Sequence, residues 1–287
     1  MYKSIQEIKA VMADKKLPFW QVVCEEDCKE SGISFETSFA KMASMYKAMK
    51  DSDAEYDATL KSESGLVGTE GELVRKAKEE GRLMSGDFIG TVMEKAMRIA
   101  ESNACMKRIV AAPTAGSCGV LPAVLISLQE KKGFSDEEMA KALFVAAGVG
   151  GVIANRASLA GAEGGCQAEI GAASSMAAAA MVSLLGGDAD MIEDAAAIAL
   201  KGLLGLVCDP VAGLVEVPCV KRNVIGSVNA VTSADLALAG VKSRIPADEV
   251  FDAMRTVGRC MHEELRETGK GGLAATPTGM EIASRYK

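Results

Sequence analysis

The sequence is poor in aromatic residues, in histidine and in basic charge, and each shortage narrows what the protein can be. Aromatic residues make up only 4% of the chain, so its core must be built from small side chains on helices that approach one another closely. His262 is the single histidine and lies in a charged segment, where we expect a surface residue. The formal net charge of −7 argues against nucleic-acid binding, which needs a basic patch.

Long apolar segments of the kind that cross membranes are also missing. The apolar run 172–185 is shorter than the roughly 20 residues that span a bilayer. Residues 1–7 lack the apolar core of a signal peptide. We therefore expect a cytoplasmic protein with no membrane contact. Its eight cysteines are then expected to be reduced thiols or metal ligands and not a disulfide framework.

The alternation of apolar and polar residues that marks a half-buried strand is not sustained anywhere in the chain. Helical spacing recurs instead, with capping-box patterns that begin at Ser4 and Ser135. We predict an all-α fold in a single compact domain over residues 1–287, with a helical N-terminal part, residues 1–60, packed on it. The predicted helices nearest the chemistry cover 170–185, 192–207, 224–239 and 246–267.

Three cysteines in the stretch 164–223 lie in three different local settings. Cys166 follows a pair of glycines, Cys208 precedes Asp-Pro, and Cys219 follows a proline. Glycine and proline favour turns, which predicts that each sulfur lies where the chain turns and not within a packed helix. Three thiolates without a fourth nearby fit a metal or cluster site with one open coordination position. Their spacing matches no short ferredoxin or zinc-finger pattern, so three unrelated buried cysteines remain the alternative.

A second site signal is the stretch 112–122, a loop rich in small and hydroxyl residues that leads into a helix. The free backbone N–H groups at a helix N-terminus can bind a carboxylate or a phosphate, although an ordinary junction is the alternative. Cys118 lies in this loop and competes with the other three cysteines as a ligand. Cys24 and Cys28 share one helix face, but no further ligand follows them closely.

These segments, together with the C-terminal stretches 265–268 and 271–279, resemble the alpha subunit of the iron–sulfur L-serine dehydratases. The resemblance covers nearly the whole chain. It implies a [4Fe–4S] cluster held by Cys166, Cys208 and Cys219, with the fourth iron left for substrate. It also implies that the loop containing Ser64 and Gly65 forms part of the active-site wall. We then expect the loop 112–119 to hold the substrate carboxylate, through Thr114, Gly116 and Ser117.

The implied activity is that of a lyase in amino-acid catabolism, an L-serine ammonia-lyase that produces pyruvate and ammonia without pyridoxal phosphate. The open iron would act as the Lewis acid for the leaving hydroxyl. The general base is not evident, and Lys61 and Glu63 are the in-chain candidates. Because the family pairs this subunit with a beta chain, we expect a partner to complete the site. The alternatives are a cluster hydro-lyase for another small hydroxy acid and a non-catalytic cysteine-rich scaffold subunit.

Overall fold

The computed structural model describes residues 1–286, and in that range the chain folds into thirteen α-helices without a named β-strand. The prediction of an all-α fold is confirmed, while the last residue of the predicted domain, Lys287, lies outside the described residues. The helices are α1 (Ile5–Lys15), α2 (Phe19–Ser31), α3 (Phe35–Ala54), α4 (Glu70–Glu79), α5 (Gly86–Ala104), α6 (Val120–Lys132), α7 (Asp136–Arg156), α8 (Gly161–Gly164), α9 (Ala172–Leu184), α10 (Ala189–Lys201), α11 (Cys219–Leu238), α12 (Ala247–Cys260) and α13 (Pro277–Ser284).

Both predicted helix starts are capped. The Ser135 hydroxyl accepts a hydrogen bond from the Glu138 amide at 3.2 Å, and the Glu138 carboxylate accepts one from the Ser135 amide, which completes the capping box. At α1, Ser4 accepts from the amide of Glu7, but the Glu7 carboxylate binds the amide of Lys3 instead. Both arrangements satisfy backbone donors that a helix start leaves free.

The alanine-rich helix α9 lies at the centre of the core and packs against α6, α7, α10 and α11. Its alanines are fully buried, and two of its serines are bonded to neighbouring helices: Ser174 donates to the carbonyl of Gly226 and Ser175 to that of Ala196. A Cβ atom at Gly226 would lie 2.7 Å from Ile170 Cγ2, so the helices approach as closely as small residues allow. The core of small side chains is therefore as the composition predicts.

The N-terminal helices belong to the same core. Ile5, Phe19 and Met49, from α1, α2 and α3, are buried in the cluster that also contains α9. The side chain of Asp248 accepts hydrogen bonds from the amides of Ile5 and Gln6, which ties the start of α1 to α12. Within residues 1–286, no helix is both long enough and apolar enough to cross a membrane.

Three predicted helix boundaries near the cysteines are wrong. Helix α10 ends at Lys201 and α12 at Cys260, both earlier than predicted, while α11 begins five residues early, at Cys219. The segments after α10 and α12 leave the helix because they pair with each other. The Cys208 amide donates to the carbonyl of Leu265 at 2.8 Å, and the Glu267 amide donates to the carbonyl of Cys208 at 2.7 Å. This long-range pairing overrides the local helical pattern.

Candidate active site

The three cysteines of the stretch 164–223 enter one region from three different backbone settings. Cys166 follows Gly165, whose φ of +73° permits the turn, and precedes a π-helical turn over Gln167–Gly171. Cys208 lies in the bridge to the C-terminal segment, and Cys219 is the first residue of α11. The prediction that the sulfurs lie outside helices is therefore wrong for Cys219, and Cys166 also has a helical backbone at the start of its turn. A thiol in the first turn of a helix gains from the helix dipole when it ionises.

Electrostatic coupling indicates that the three sulfurs are neighbours. Burial raises the pKa of Cys166 to about 11 and that of Cys219 to about 12, and the charge of Cys166 adds to the second shift. Burial also raises the pKa of Cys208 strongly, with further contributions from the charges of Cys166 and Cys219. Neighbouring thiolates would repel one another, so ionising all three thiols in the bare protein is costly. A nearby cation is therefore needed if all three are to be thiolates together.

One such cation is built in. The Arg222 guanidinium donates to the carbonyl of Val207 at 2.7 Å and to Asp209 Oδ1 at 2.8 Å. Its positive charge opposes the rise in the pKa values of Cys166 and Cys219. The other oxygen of Asp209 accepts from the amide of Leu273 at 2.7 Å, which fixes the C-terminal glycine-rich loop against the cysteine segment.

The loop 112–119 is joined to the third cysteine by Asn223. The Asn223 side-chain amide donates to the carbonyls of Gly116 and Cys219, at 2.8 and 2.9 Å, and its oxygen accepts from the amide of Gly119 at 2.8 Å. Within the loop, the hydroxyls of Thr114 and Ser117 lie 3.1 Å apart at the start of a short 3₁₀ turn. The predicted carboxylate loop and the cysteine segment therefore form one unit.

A carboxylate that the sequence analysis did not single out lies between these parts. Glu169 Oε1 accepts a hydrogen bond from Thr114 Oγ1 at 2.7 Å. Burial raises the pKa of Glu169, the Thr114 bond opposes the rise, and the charge of Glu267 adds to it. The signal was present, since Glu169 lies three residues after Cys166, but the position of its side chain depends on the π-helical turn.

Gly161 marks the point around which these groups meet. A Cβ atom built on Gly161 would lie 2.8 Å from Glu169 Oε2, 3.1 Å from Cys208 Sγ and 3.2 Å from Glu267 Oε2. A Cβ atom on Gly116 would lie 3.0 Å from Glu169 Oε1. Only glycine fits at both positions, and the narrow space beside Gly161, too small for a Cβ atom as it stands, is bordered by a thiol and two carboxylates.

The loop with Ser64 and Gly65 reaches the same region through Glu216, which is buried in the cysteine segment. Ser62 and Ser64 both donate to Glu216 Oε2, the former at 3.0 Å. Gly65 is exposed with a φ of +73°. Lys61 and Glu63 are exposed, and neither side chain forms a hydrogen bond or ion pair within residues 1–286, so their catalytic role stays a prediction.

The other candidate ligands lie elsewhere. Cys118 is fully buried, its sulfur faces the Ile99 carbonyl at 3.9 Å, and burial raises its pKa to about 12. Cys24 of α2 lies near Ser38 of α3, and His262 is exposed as predicted. In the described part of the chain, no three cysteine, histidine or acidic side chains converge closely enough to hold a single metal ion.

Comparison with known proteins agrees with the motifs. Residues 14–274 match the family model described as "Serine dehydratase alpha chain". A probable L-serine dehydratase alpha chain of Bacillus subtilis (strain 168) is 44% identical over 285 residues, which cover 99% of this chain and 95% of the relative. The L-serine dehydratase alpha chain of Peptoniphilus asaccharolyticus is 43% identical over 98% of this chain and 97% of its own length.

A longer relative matches over a smaller part. L-serine dehydratase TdcG of Escherichia coli (strain K12) is 44% identical over 181 residues, which cover 62% of this chain and 40% of that protein. The matched segment is thus less than half of the TdcG polypeptide. In the two alpha chains, by contrast, the match extends over almost the whole length of both proteins.

Proposed function

The chain belongs to the serine dehydratase alpha chain family, and on that premise we propose that it is the cluster-binding subunit of an enzyme that deaminates L-serine to pyruvate and ammonia. The observation that carries the proposal is that Cys208, Glu169 and Glu267 meet beside Gly161, while Cys166 and Cys219 lie close enough to Cys208 for their charges to raise its pKa. Such a set of groups has no evident use in a purely structural subunit.

The donor set fits a [4Fe–4S] cluster. Thiolates are the usual ligands of such clusters, and Cys166, Cys208 and Cys219 supply three of them. Each thiolate would bind a different iron, so the sulfurs need not converge on a single ion. Arg222 would offset part of the negative charge of this assembly. Three ligands leave one iron without a protein ligand.

When bound, the cluster would supply a Lewis acid for the departing β-hydroxyl of serine. The chain itself would bind and orient the substrate. Thr114, Gly116 and Ser117 would hold its carboxylate at the start of the 3₁₀ turn, and Ser64 and Gly65 would form part of the wall. Loss of water from serine leaves an enamine, and its later hydrolysis takes water up again to give pyruvate and ammonia.

Removal of the proton from the serine Cα requires a base within hydrogen-bonding reach. The side chains of Lys61 and Glu63 are exposed and form no hydrogen bond within residues 1–286. We therefore assign the base to a separate beta-type chain that would cover this edge and exclude water from the site. A complete active site would then form only in the heteromer.

The test is anaerobic reconstitution of the chain with iron and sulfide, followed by a pyruvate assay with and without the beta-type partner. The expected result is a cluster in the chain alone and pyruvate from L-serine only with the partner. The Cys208→Ala variant should lose both, whereas Cys260→Ala, which changes an exposed cysteine, should keep both. Full activity of the paired Cys208→Ala variant would favour a scaffold role instead. Turnover of another small hydroxy acid but not of serine would reassign the substrate.

A further inference from the structure

L-serine carries a positive α-ammonium group as well as the carboxylate and hydroxyl considered so far. A cation that leaves water for a partly buried site needs a fixed negative partner, because desolvation is otherwise costly. Two cationic side chains lie near the cysteines: Arg222 is already bonded to Asp209, and Arg266 lies in the segment paired with Cys208. The question is therefore which anionic group remains available for the ammonium.

Glu169 lies where a negative partner for the ammonium is needed. It accepts a single hydrogen bond, from Thr114, on Oε1, and it takes part in no ion pair within residues 1–286. Its Oε2 atom borders the space at Gly161 that Cys208 Sγ also borders. The carboxylate thus lies between the loop expected to hold the substrate carboxylate and a sulfur expected to hold the cluster. An amino acid bound to both would bring its ammonium close to Glu169.

Glu267, an exposed residue, also borders this space. Its φ of +64° is unusual for a residue other than glycine, and its amide is held by the carbonyl of Cys208. This backbone conformation brings Glu267 Oε2 to the border of the space, 3.2 Å from the Cβ position of Gly161. Within residues 1–286 it also has no cationic partner. Two carboxylates therefore lie next to one space with no positive charge between them.

We infer that Glu169, assisted by Glu267, binds the α-ammonium of the substrate and thereby selects amino acids over the corresponding hydroxy acids. The inference rests on the proposed function, since it concerns the substrate of that same site. Glu169 Oε2 would accept from the ammonium while Thr114 keeps Oε1 in place. Glu267 would supply the second charge from the C-terminal segment.

The test uses two ligands that differ at the α-substituent and have no β-hydroxyl to lose. L-alanine carries the ammonium, and L-lactate carries a hydroxyl in its place. Their binding to the reconstituted complex is measured by calorimetry, for the wild type, Glu169→Gln, Glu267→Gln and the matched control Glu163→Gln, which alters an exposed side chain of the same segment. Steady-state kinetics with L-serine are measured on the same preparations.

The wild type and Glu163→Gln should prefer L-alanine by at least about 10-fold, as expected for one charge-assisted hydrogen bond. Glu169→Gln should lose most of that preference and raise KM for L-serine by a similar factor, with a smaller change in kcat. Glu267→Gln should lose part of the preference. Because glutamine can still accept the Thr114 bond, we expect Glu169→Gln to fold. If Glu169→Gln does not fold, Glu267→Gln tests the inference independently.

A wild type that binds both ligands equally would overturn the inference, as would a Glu169→Gln variant that keeps the preference. A fall in kcat of about 100-fold or more, with L-alanine affinity unchanged, would assign Glu169 as the general base instead. Failure of the proposed function is a separate result: no pyruvate from L-serine with the wild-type complex. Calorimetry would still decide the ammonium question in that case.

Discussion

Two glutamates of this protein differ in how many hydrogen bonds their carboxylates accept. Glu101 is fully buried and accepts from the Tyr56 hydroxyl at 2.7 Å and from the amides of Glu70, Gly71 and Gly68 at 2.8, 3.1 and 3.4 Å. Glu169 accepts one hydrogen bond within the described residues, from Thr114. The first carboxylate is satisfied by the fold, and the second has capacity left for a ligand.

The difference separates a structural carboxylate from a functional one. Glu101 caps the start of α4 and fixes the loop that leads to it from Ser64, so the negative charge lies where a helix N-terminus favours it. Burial and the charge of Glu267 raise the pKa of Glu169 and so disfavour its charge in the absence of a ligand. Glu101 is fully buried and Glu169 is partly buried, and the number of hydrogen-bond donors separates the two further.

Replacing the satisfied carboxylate should destabilise the protein most. In Glu101→Gln an amide group must face backbone N–H donors, which leaves buried donors unsatisfied, and we expect a loss of about 3 kcal/mol in the free energy of unfolding. Urea denaturation of the chain measures it. Glu249→Gln, at an exposed position of α12, serves as the control and should change little. A loss below about 1 kcal/mol would contradict the structural role of Glu101.

Asn223 should show the next largest effect, because it joins the loop 112–119 to Cys219 through three hydrogen bonds. We expect Asn223→Ala to lower the free energy of unfolding by about 2 kcal/mol and to weaken cluster retention. The control is Asn155→Ala, which removes one bond at an exposed position. Equal stability of the two variants would show that the loop is held by other contacts.

The titration of Glu169 should make the free energy of unfolding depend on pH. Because its folded pKa lies above the ordinary value of 4.5, its stabilising contribution is complete below that value and is lost as pH rises through the folded pKa. Glu169→Gln removes the titrating group. The cluster-free variant should therefore gain stability relative to the wild type as pH rises from about 4 to 7. Unfolding curves across this range measure the gain, and a difference that is constant with pH would contradict the prediction.

Lys61 and Glu63 should give the smallest effects on activity if the base lies on the partner chain. Both are exposed, so Lys61→Ala and Glu63→Ala should retain serine turnover within about threefold in the heteromer, whereas loss of a general base costs about 100-fold or more. The measurement is kcat for pyruvate formation. A loss of that size in either variant would place the base on this chain.

Much of the fold could be predicted because its signals are local. The capping box at Ser135 and the alanine-rich run of α9 depend on neighbours within a few residues, which the sequence displays directly. The position of Cys219 at the start of α11 was missed, because Pro218 was taken to keep the sulfur outside a helix, yet proline is also common where helices begin.

The sequence alone was sufficient for the helical class, the small-residue core and the family motifs that single out the three cysteines. Only the tertiary structure decided that Glu169 and Glu267 border the same space as Cys208, since these residues are distant in the chain. It also decided that α12 ends at Cys260, because the following segment pairs with Cys208. The physical reason is the same in both cases. Helix propensity is a short-range property, whereas the availability of a carboxylate depends on which donors the rest of the chain brings to it.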